Sequence, residues 1–322
     1  MKNKIIFFGT PDFSVATLKA LYENKNTEIL AVVTKIDKKS GRGEKVTFSK
    51  VKEYALQKNI TILQPKNIKE DYECIYKLKQ YNADFFIVVA YGQILSQTIL
   101  KIPKKACLNG HASLLPKYRG ASPIQSALLN GDDKTGVSIM LMEEKLDAGD
   151  ILKSIEVSIE KKETSKSLFD KLAIFTKDAM IDVIENYDYY YEKRIKQDET
   201  KATFVYPIKK EDALINFDNN TNIQIERQIR AMNPWPGAYT FLFDKKSKIW
   251  DAQIVSTDEI KKTCEEDIEE IIQKQNKLKV NIFFTKKNIY AICKEGFLQI
   301  NELQIESKQK MKAIDFINGY CK

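Results

Sequence analysis

A chain that opens with a strand, a helix and a second strand within its first 34 residues has few folds available to it. Residues 4–8 are an apolar run of strand length, and Gly9-Thr-Pro-Asp12 follows at once. Thr10 is placed to cap a helix, Pro11 to occupy its first position and Asp12 to face the positive end of its dipole. Phe13, Ala16, Leu18 and Leu21 then give that helix one apolar side to about Tyr22, and residues 28–34 form the next strand. Such a unit predicts a parallel sheet with right-handed crossovers. Residues 61–63 are a short strand, residues 69–80 a helix, and residues 83–90 an almost wholly apolar strand, as expected of a sheet covered on both faces. The first turn carries one glycine rather than Gly-x-Gly-x-x-Gly, which argues against a dinucleotide site there.

Residues 105–125 hold the only histidine of the chain. Residues 106–108 read as the end of a short buried strand that Asn109, Gly110 and His111 leave, with glycine letting the backbone bend and approach another group. Pro116 and Gly120 punctuate the loop, and Ser122-Pro123 reads as a capped helix start. In extended backbone Asn109 and His111 share one face. One can donate an amide N–H while the other exchanges a proton, which suits acyl transfer; a lone histidine can equally be a hydrogen-bonded core residue. Asp147 lies in a turn just past the strand-like residues 136–142. It can orient the imidazole, favour its charged form or hold a water beside it, or it can simply cap its own turn. Strand exits after Val89, Leu108 and Met142 are expected to surround one crevice.

At 322 residues the chain can hold two domains. Its 43% hydrophobic and 30% charged residues fit a globular protein, and no run of about 18 apolar residues predicts a membrane span. The apolar run behind Met1-Lys-Asn-Lys4 is too short for a signal peptide core. The five cysteines are scattered without a Cys-x-x-Cys pair and there is one histidine, so a cytoplasmic protein with reduced thiols and no metal is expected. A monomer is expected as well.

Net charge is +8, but position matters more than the total. Residues 35–52 present six lysines and Arg42 against two acids, with glycines on both sides of Arg42. This flexible loop is either a solvated face or a phosphate-contacting element. From Thr164, residues Leu168, Leu172, Phe175, Ala179 and Val183 mark a long packed helix. Residues 189–206 lack a period and serve as a linker between domains at 1–188 and 207–322. Beyond it come a helix at 222–232, a rigid Asn233-Pro-Trp-Pro-Gly turn with Trp235 as a structural plug, and five short strands. The strands, at 238–243, 249–255, 278–284, 288–293 and 297–303, suggest a small OB-like β-barrel. The fold class is therefore α/β: a doubly wound, Rossmann-like, mostly parallel sheet, then a linker and the small barrel.

Asn109-Gly-His-Ala-Ser-Leu-Leu-Pro-Lys-Tyr-Arg-Gly120, with Leu146-Asp-Ala-Gly-Asp150 downstream, resembles the signature of the 10-formyltetrahydrofolate-dependent formyltransferases. Gly9-Thr-Pro-Asp-Phe13, Ala90-Tyr-Gly-Gln-Ile-Leu95 and Ile229-Arg-Ala-Met-Asn-Pro-Trp-Pro-Gly-Ala238 extend the resemblance over nearly the whole chain, toward the tRNA-acting branch. It implies Asn109, His111 and Asp147 as the catalytic set, and a folate pocket at Tyr91, Gly92, Ile94 and Leu95, capped by Ser113, Leu114, Leu115 and Pro116. Residues 91–95 can equally be an ordinary strand exit whose Ile94 and Leu95 serve the core. The resemblance also implies that Lys38, Lys39, Arg42 and Lys45 contact the acceptor arm, although Lys35-Ile-Asp37 departs from the family's usual Gln/Lys-Pro-Asp start to that loop. The implied reaction takes the formyl group of 10-formyltetrahydrofolate to the amine of methionine on initiator tRNA. A nucleotide-linked amino sugar or other small amine is the alternative acceptor, and a non-catalytic RNA-binding scaffold is the alternative from another class.

Overall fold

A computed structural model describes residues 2–40, 45–264, 268–278 and 281–320. The chain divides into two compact units, the first formed by residues 1–124, 133–159 and 168–207 and the second by residues 125–132, 160–167 and 208–322.

In the first unit, strand β1 (Asn3–Gly9), helix α1 (Asp12–Glu23) and strand β2 (Thr27–Val33) form the opening crossover, with β1 and β2 parallel. Helix α1 starts one residue later than Thr10 capping would require. The Thr10 hydroxyl instead donates to the carbonyl of Tyr91 at 3.0 Å, and that of Ser14 to the carbonyl of Val89 at 2.6 Å. These bonds tie the first turn to the exit of a neighbouring strand. The basic segment 35–52 is not one open loop. Strands β3 (Lys38–Ser40) and β4 (Lys45–Thr47) pair as an antiparallel hairpin, and Ser49 caps helix α2 (Lys50–Gln57) by accepting from the N–H of Lys52.

Strand β5 (Thr61–Leu63), helix α3 (Tyr72–Gln80), strand β6 (Phe85–Val89), helix α4 (Gln97–Leu100) and strand β7 (Ala106–His111) complete the parallel part. β6 is buried throughout; Phe86 and Val88 pack with Ile6, Phe8, Ala31 and Leu78. Short β8 (Arg119–Gly120) and helix α5 (Pro123–Asn130) lead to β9 (Lys134–Leu141) and β10 (Ile151–Ser158), which run antiparallel to their neighbours. The seven-stranded order is β10-β9-β7-β6-β1-β2-β5. Helix α6 (Ser165–Glu185) and helix α7 (Tyr187–Glu192) follow.

Three expectations change here. Asn109, Gly110 and His111 do not leave the strand: β9 pairs with them, His111 opposite Ser138, so polar residues remain in extended backbone. Because β9 is antiparallel, its Met142 exit does not join those after Val89 and His111. Met142 donates its N–H to the carbonyl of Cys107, toward the other end of β7. Residues 189–206, expected as a linker, lie in the first unit's own hydrogen-bond network. Strand β11 (Phe204–Val205) pairs in parallel with β8, and Ile195 bridges Ile151.

The second unit contains helix α8 (Asn222–Ala231), strands β12 (Tyr239–Leu242) and β13 (Lys245–Val255), and helices α9 (Thr257–Lys261) and α10 (Ile268–Leu278). Strands β14 (Ile282–Phe284), β15 (Ile289–Ile292), β16 (Phe297–Ile305) and β17 (Met311–Lys312) precede helix α11 (Ala313–Tyr320). Its sheet is antiparallel, ordered β12-β13-β16-β15-β14 with β17 also on β16, a half-barrel. The edges β12 and β14 are not paired with each other among the described residues, so this is no closed barrel. Residue 278, expected to open a strand, ends α10, whose Ile268 and Ile271 pack on Phe283 and Tyr290. Ile225 and Ile229 of α8, with Met232 just beyond it, pack with Ile249, Leu298, Leu303 and Phe316. Leu129 joins that cluster, the carbonyl of Asn130 accepts from Arg227 at 3.1 Å and that of Glu163 from Arg230 at 3.1 Å, which explains why these two early segments belong to the second unit.

Candidate active site

Alternation along β7 puts Asn109 and His111 on one face of the sheet, and both are buried. Gly110 between them faces the other way. A Cβ there would lie 2.7 Å from Cγ2 of Thr176 on α6, so the glycine serves a close approach of helix to strand rather than a bend. Asp147 meets the pair from the segment that follows β9. Its Oδ1 accepts from the Asn109 amide at 3.3 Å, and its Oδ2 stands 3.7 Å from Nδ1 of His111. The other ring nitrogen, Nε2, is 2.9 Å from the carbonyl of Tyr118. A carbonyl can only accept, so Nε2 carries the proton in that bond and Nδ1 is the nitrogen that faces the carboxylate.

The loop after His111 is fixed from below. The Ser138 hydroxyl donates to the carbonyl of Ser113 at 2.8 Å and accepts from the N–H of Leu115 at 3.1 Å. At its far end the N–H of Gly120 donates to Oδ2 of Asp147 at 2.8 Å. Gly120 has φ +116°, and a Cβ would meet the carbonyl oxygen of Val205 at 2.2 Å, so no other residue type fits. The arrangement supplies an amide donor, a proton-bearing ring and a fixed carboxylate in one place, the equipment for stabilising charge on a carbonyl oxygen while an amine loses a proton. Nearby Cys107 offers no thiolate, because burial pushes its thiol well up. No group of three His, Cys, Asp or Glu placed to hold a metal occurs among the described residues.

The other expected site residues divide. Tyr91 and Leu95 are core side chains; Tyr91 packs edge-on to Phe8 and Leu95 is buried in the same cluster. Gly92 has φ +78° at the strand exit, and Ile94 is the exposed side chain there. Ser113 is buried, Leu115 clusters with Met140 and Ile151, and Leu114 and Pro116 are half-buried. Lys38 and Lys39 lie on β3 and Lys45 begins β4, while Arg42 lies outside the described residues. Asp37 anchors the foot of this hairpin. Its carboxylate accepts from Lys52 at 2.5 Å and from Gln64 at 2.9 Å, and these two donors, Lys52 foremost, hold it below its ordinary value.

Sequence reading missed Arg119, Gln197 and Glu199. Arg119 is 2% exposed, and its guanidinium donates to Gln197 and Glu199. A signal existed: only five of the 52 basic residues are arginine, and one sits inside the histidine motif. Trp235, expected as a plug, is 52% exposed. It lines a cavity of about 350 Å³ in the second unit together with Tyr239, Lys210, Lys246, Lys248 and Glu306. Nζ of Lys246 stands 3.6 Å from the Tyr239 ring centre. Burial, then the charges of Lys246 and Lys210, lower the pKa of Lys248. The cavity thus concentrates positive charge beside aromatic rings.

A family model described as Formyl transferase matches residues 2–184, and one described as Formyl transferase, C-terminal domain, matches residues 207–321. A Methionyl-tRNA formyltransferase of Lachnospira eligens is 39% identical over 317 residues, 98% of this chain and 96% of that protein. One of Clostridium novyi is 40% identical over 316 residues, with the same coverage. The crystal structure of WlaRD, a sugar 3N-formyl transferase in the presence of dTDP and 5-N-formyl-THF, superposes with a TM-score of 0.64 at 20% identity. That match covers 96% of this chain and 100% of WlaRD, and it speaks to the fold.

Proposed function

Because this chain belongs to the formyl transferase family, and within it to the methionyl-tRNA formyltransferases, we propose that it transfers a formyl group from 10-formyltetrahydrofolate to the α-amino group of methionine on initiator tRNA. The observation that carries this reading is the meeting of Asn109 and His111 at the carboxylate of Asp147, at 3.3 and 3.7 Å. The folate co-substrate supplies the formyl group: the amine nitrogen bonds to the formyl carbon, the bond from that carbon to N10 of the folate breaks, and N10 leaves with the proton that the amine gives up, as tetrahydrofolate. Asn109 presents its amide N–H to the formyl oxygen as negative charge gathers there, and one such donor is worth roughly 2.7–4 kcal/mol. His111 takes part through Nδ1, with its ring held by the carbonyl of Tyr118. Asp147 holds the Asn109 amide in place and faces the imidazole with its carboxylate as the amine gives up its proton.

Ile94, exposed at the exit of β6, and half-buried Leu114 and Pro116 offer apolar surface for the pterin, while Tyr91, Leu95, Ser113 and Leu115 shape it from beneath. The basic hairpin and the second unit's lysine-rich cavity supply positive charge for a tRNA, with Trp235 offering a face on which an unpaired base can stack. In this reading residues 1–188 carry the chemistry and residues 207–322 assist in gripping the acceptor, and the enzyme works in the cytoplasm as a monomer. No helix among the described residues is long and apolar enough to cross a membrane.

The test is a formylation assay offering charged initiator tRNA, charged elongator tRNA and a nucleotide-linked amino sugar. Turnover on the initiator alone is the expected result. Turnover on the sugar alone would move the chain to the other acceptor class, and no folate-dependent turnover would remove the catalytic reading.

A further inference from the structure

Asp147 reaches Asn109 and His111 by an indirect route. Strand β9 delivers the chain level with Cys107, away from His111, so residues 142–150 must turn back over the sheet face to bring the carboxylate to the histidine. Asp147 itself takes φ +47°, a left-handed conformation that a residue with a Cβ adopts at some cost. A turn of this kind persists only when its surroundings hold it.

The holding group is Gln197, 5% exposed and fifty positions further along the chain. Its Nε2 donates to the carbonyl of Asp147 at 2.8 Å and to that of Gly149 at 2.7 Å, gripping the turn on both sides of Ala148. Its Oε1 accepts from Nε and Nη2 of Arg119 at 3.1 and 2.9 Å. The guanidinium's remaining reach goes to the two oxygens of Glu199, at 3.0 and 2.7 Å. Arg119 in turn lies between Tyr118, whose carbonyl fixes the ring of His111, and Gly120, whose N–H binds the carboxylate of Asp147. One amide side chain therefore couples the backbone that carries the acid to the backbone that orients the histidine. Glutamine suits the position chemically, since it offers two N–H donors to the carbonyls and an acceptor to the guanidinium. Glutamate would lack the donors and lysine the acceptor.

We propose that Gln197, braced by Arg119 and Glu199, is a positioning residue of the reaction, setting the angle at which Asp147 faces Asn109 and His111. The proposal rests on the formyl-transfer reading for its kinetic consequence but not for its geometry. It also gives the segment that carries Gln197, part of the first unit, a role in positioning the catalytic set.

The experiment compares Gln197→Ala, Gln197→Glu and Asp147→Asn with the unaltered protein, following single-turnover formylation, KM for each substrate, thermal unfolding and the imidazole NMR signal. The chain has one histidine, so one ring signal reports on His111. Gln197→Ala should lower kcat by about 10- to 100-fold with each KM within about twofold of normal, the signature of a misplaced group rather than lost binding. Gln197→Glu, which keeps the side-chain volume, should fail to restore the rate even where Gln197→Ala folds poorly. The His111 signal should move in both variants, in the direction seen for Asp147→Asn. In an Asp147→Asn background, Gln197→Ala should lower kcat no further, whereas a merely structural residue would still lower it. A folded Gln197→Glu protein with normal kcat and an unmoved His111 signal would overturn the proposal. If the unaltered protein formylates no acceptor, the functional reading fails separately and the His111 signal still decides the geometry.

Discussion

Gly120 donates its backbone N–H to the same oxygen of Asp147 that lies nearest the ring of His111, at 2.8 and 3.7 Å respectively. The carboxylate oxygen that faces the imidazole thus also accepts a backbone hydrogen bond, which helps to hold it. Removing the carboxylate and removing its charge therefore have different consequences. Asp147→Asn should keep the loop near its place, and Asp147→Ala should release it. Asp147→Asn, Asn109→Ala and His111→Ala should retain folate binding. Asn109→Ala is expected to lose about 100- to 1000-fold in kcat. Single-turnover rates with titrated folate analogue check this, and a near-normal rate in any variant removes that residue from the mechanism.

Gly110 and Thr176 make a second linked pair. A methyl group at 110 meets Cγ2 of Thr176 at 2.7 Å, with Val89 and Met180 also close, so Gly110→Ala should destabilise the first unit by about 1–3 kcal/mol. Thr176→Ser deletes that methyl but keeps the hydroxyl that donates to the carbonyl of Leu172. The double variant should therefore recover much of the lost Tm. Equal Tm values for Gly110→Ala with and without Thr176→Ser would show that the strain arises elsewhere.

Acid sensitivity of the hairpin foot follows from Asp37. Its folded pKa lies below the ordinary 3.8, because Lys52 and then Gln64 donate to the charged form. Below about pH 4 the unfolded chain takes up this proton before the folded one does, so stability rises with pH there. The contribution is complete above about pH 5 and is lost as pH falls through the folded value. Asp37→Asn should lower Tm by about 1–4 °C at neutral pH, as for a partly exposed pair, and lose less on acidification. Melting curves from about pH 7 to pH 3 give the difference between the two proteins. A gap that stays constant across that range would mean Asp37 is not the titrating group.

The cavity of the second unit predicts a division of effects. Lys248→Ala and Trp235→Ala should weaken tRNA use without altering folate affinity. Losing one lysine–phosphate contact should reduce the slope of log K against log salt by about one, while losing the indole should leave that slope unchanged. Filter binding of charged initiator tRNA across a salt series distinguishes the two. Unchanged affinity in both variants would leave the cavity outside the tRNA path.

How much of this could be read in advance depended on whether the governing contact was local. The opening crossover and the buried β6 followed from hydrophobic period, and the shared face of Asn109 and His111 from the two-residue repeat of extended chain. The direction of β9 did not, because an apolar strand reads alike either way, and only its pairing with β7 makes it antiparallel. Gln197 gave no sign either, since its partners Asp147, Gly149 and Arg119 are remote in sequence. Residues 35–52 looked like a loop because lysines and glycines obscure the short pairing of β3 with β4. The Pro-Trp-Pro setting of Trp235 suggested burial, but rigid flanks can equally hold an indole outward, as they do here.

The interleaved membership of the second unit bears on how such chains can be recombined. Residues 125–132 and 160–167 are encoded among the segments of the first unit yet share their packing and hydrogen bonds with residues beyond 207. A chimera joined to a relative at residue 207 would pair one parent's Arg227 and Arg230 with the other's carbonyls at positions 130 and 163, and one parent's core with the other's Leu129. A working exchange needs all three segments from the same parent. Substitutions at position 129 are accordingly constrained by the far end of the gene rather than by the neighbours that surround them in sequence.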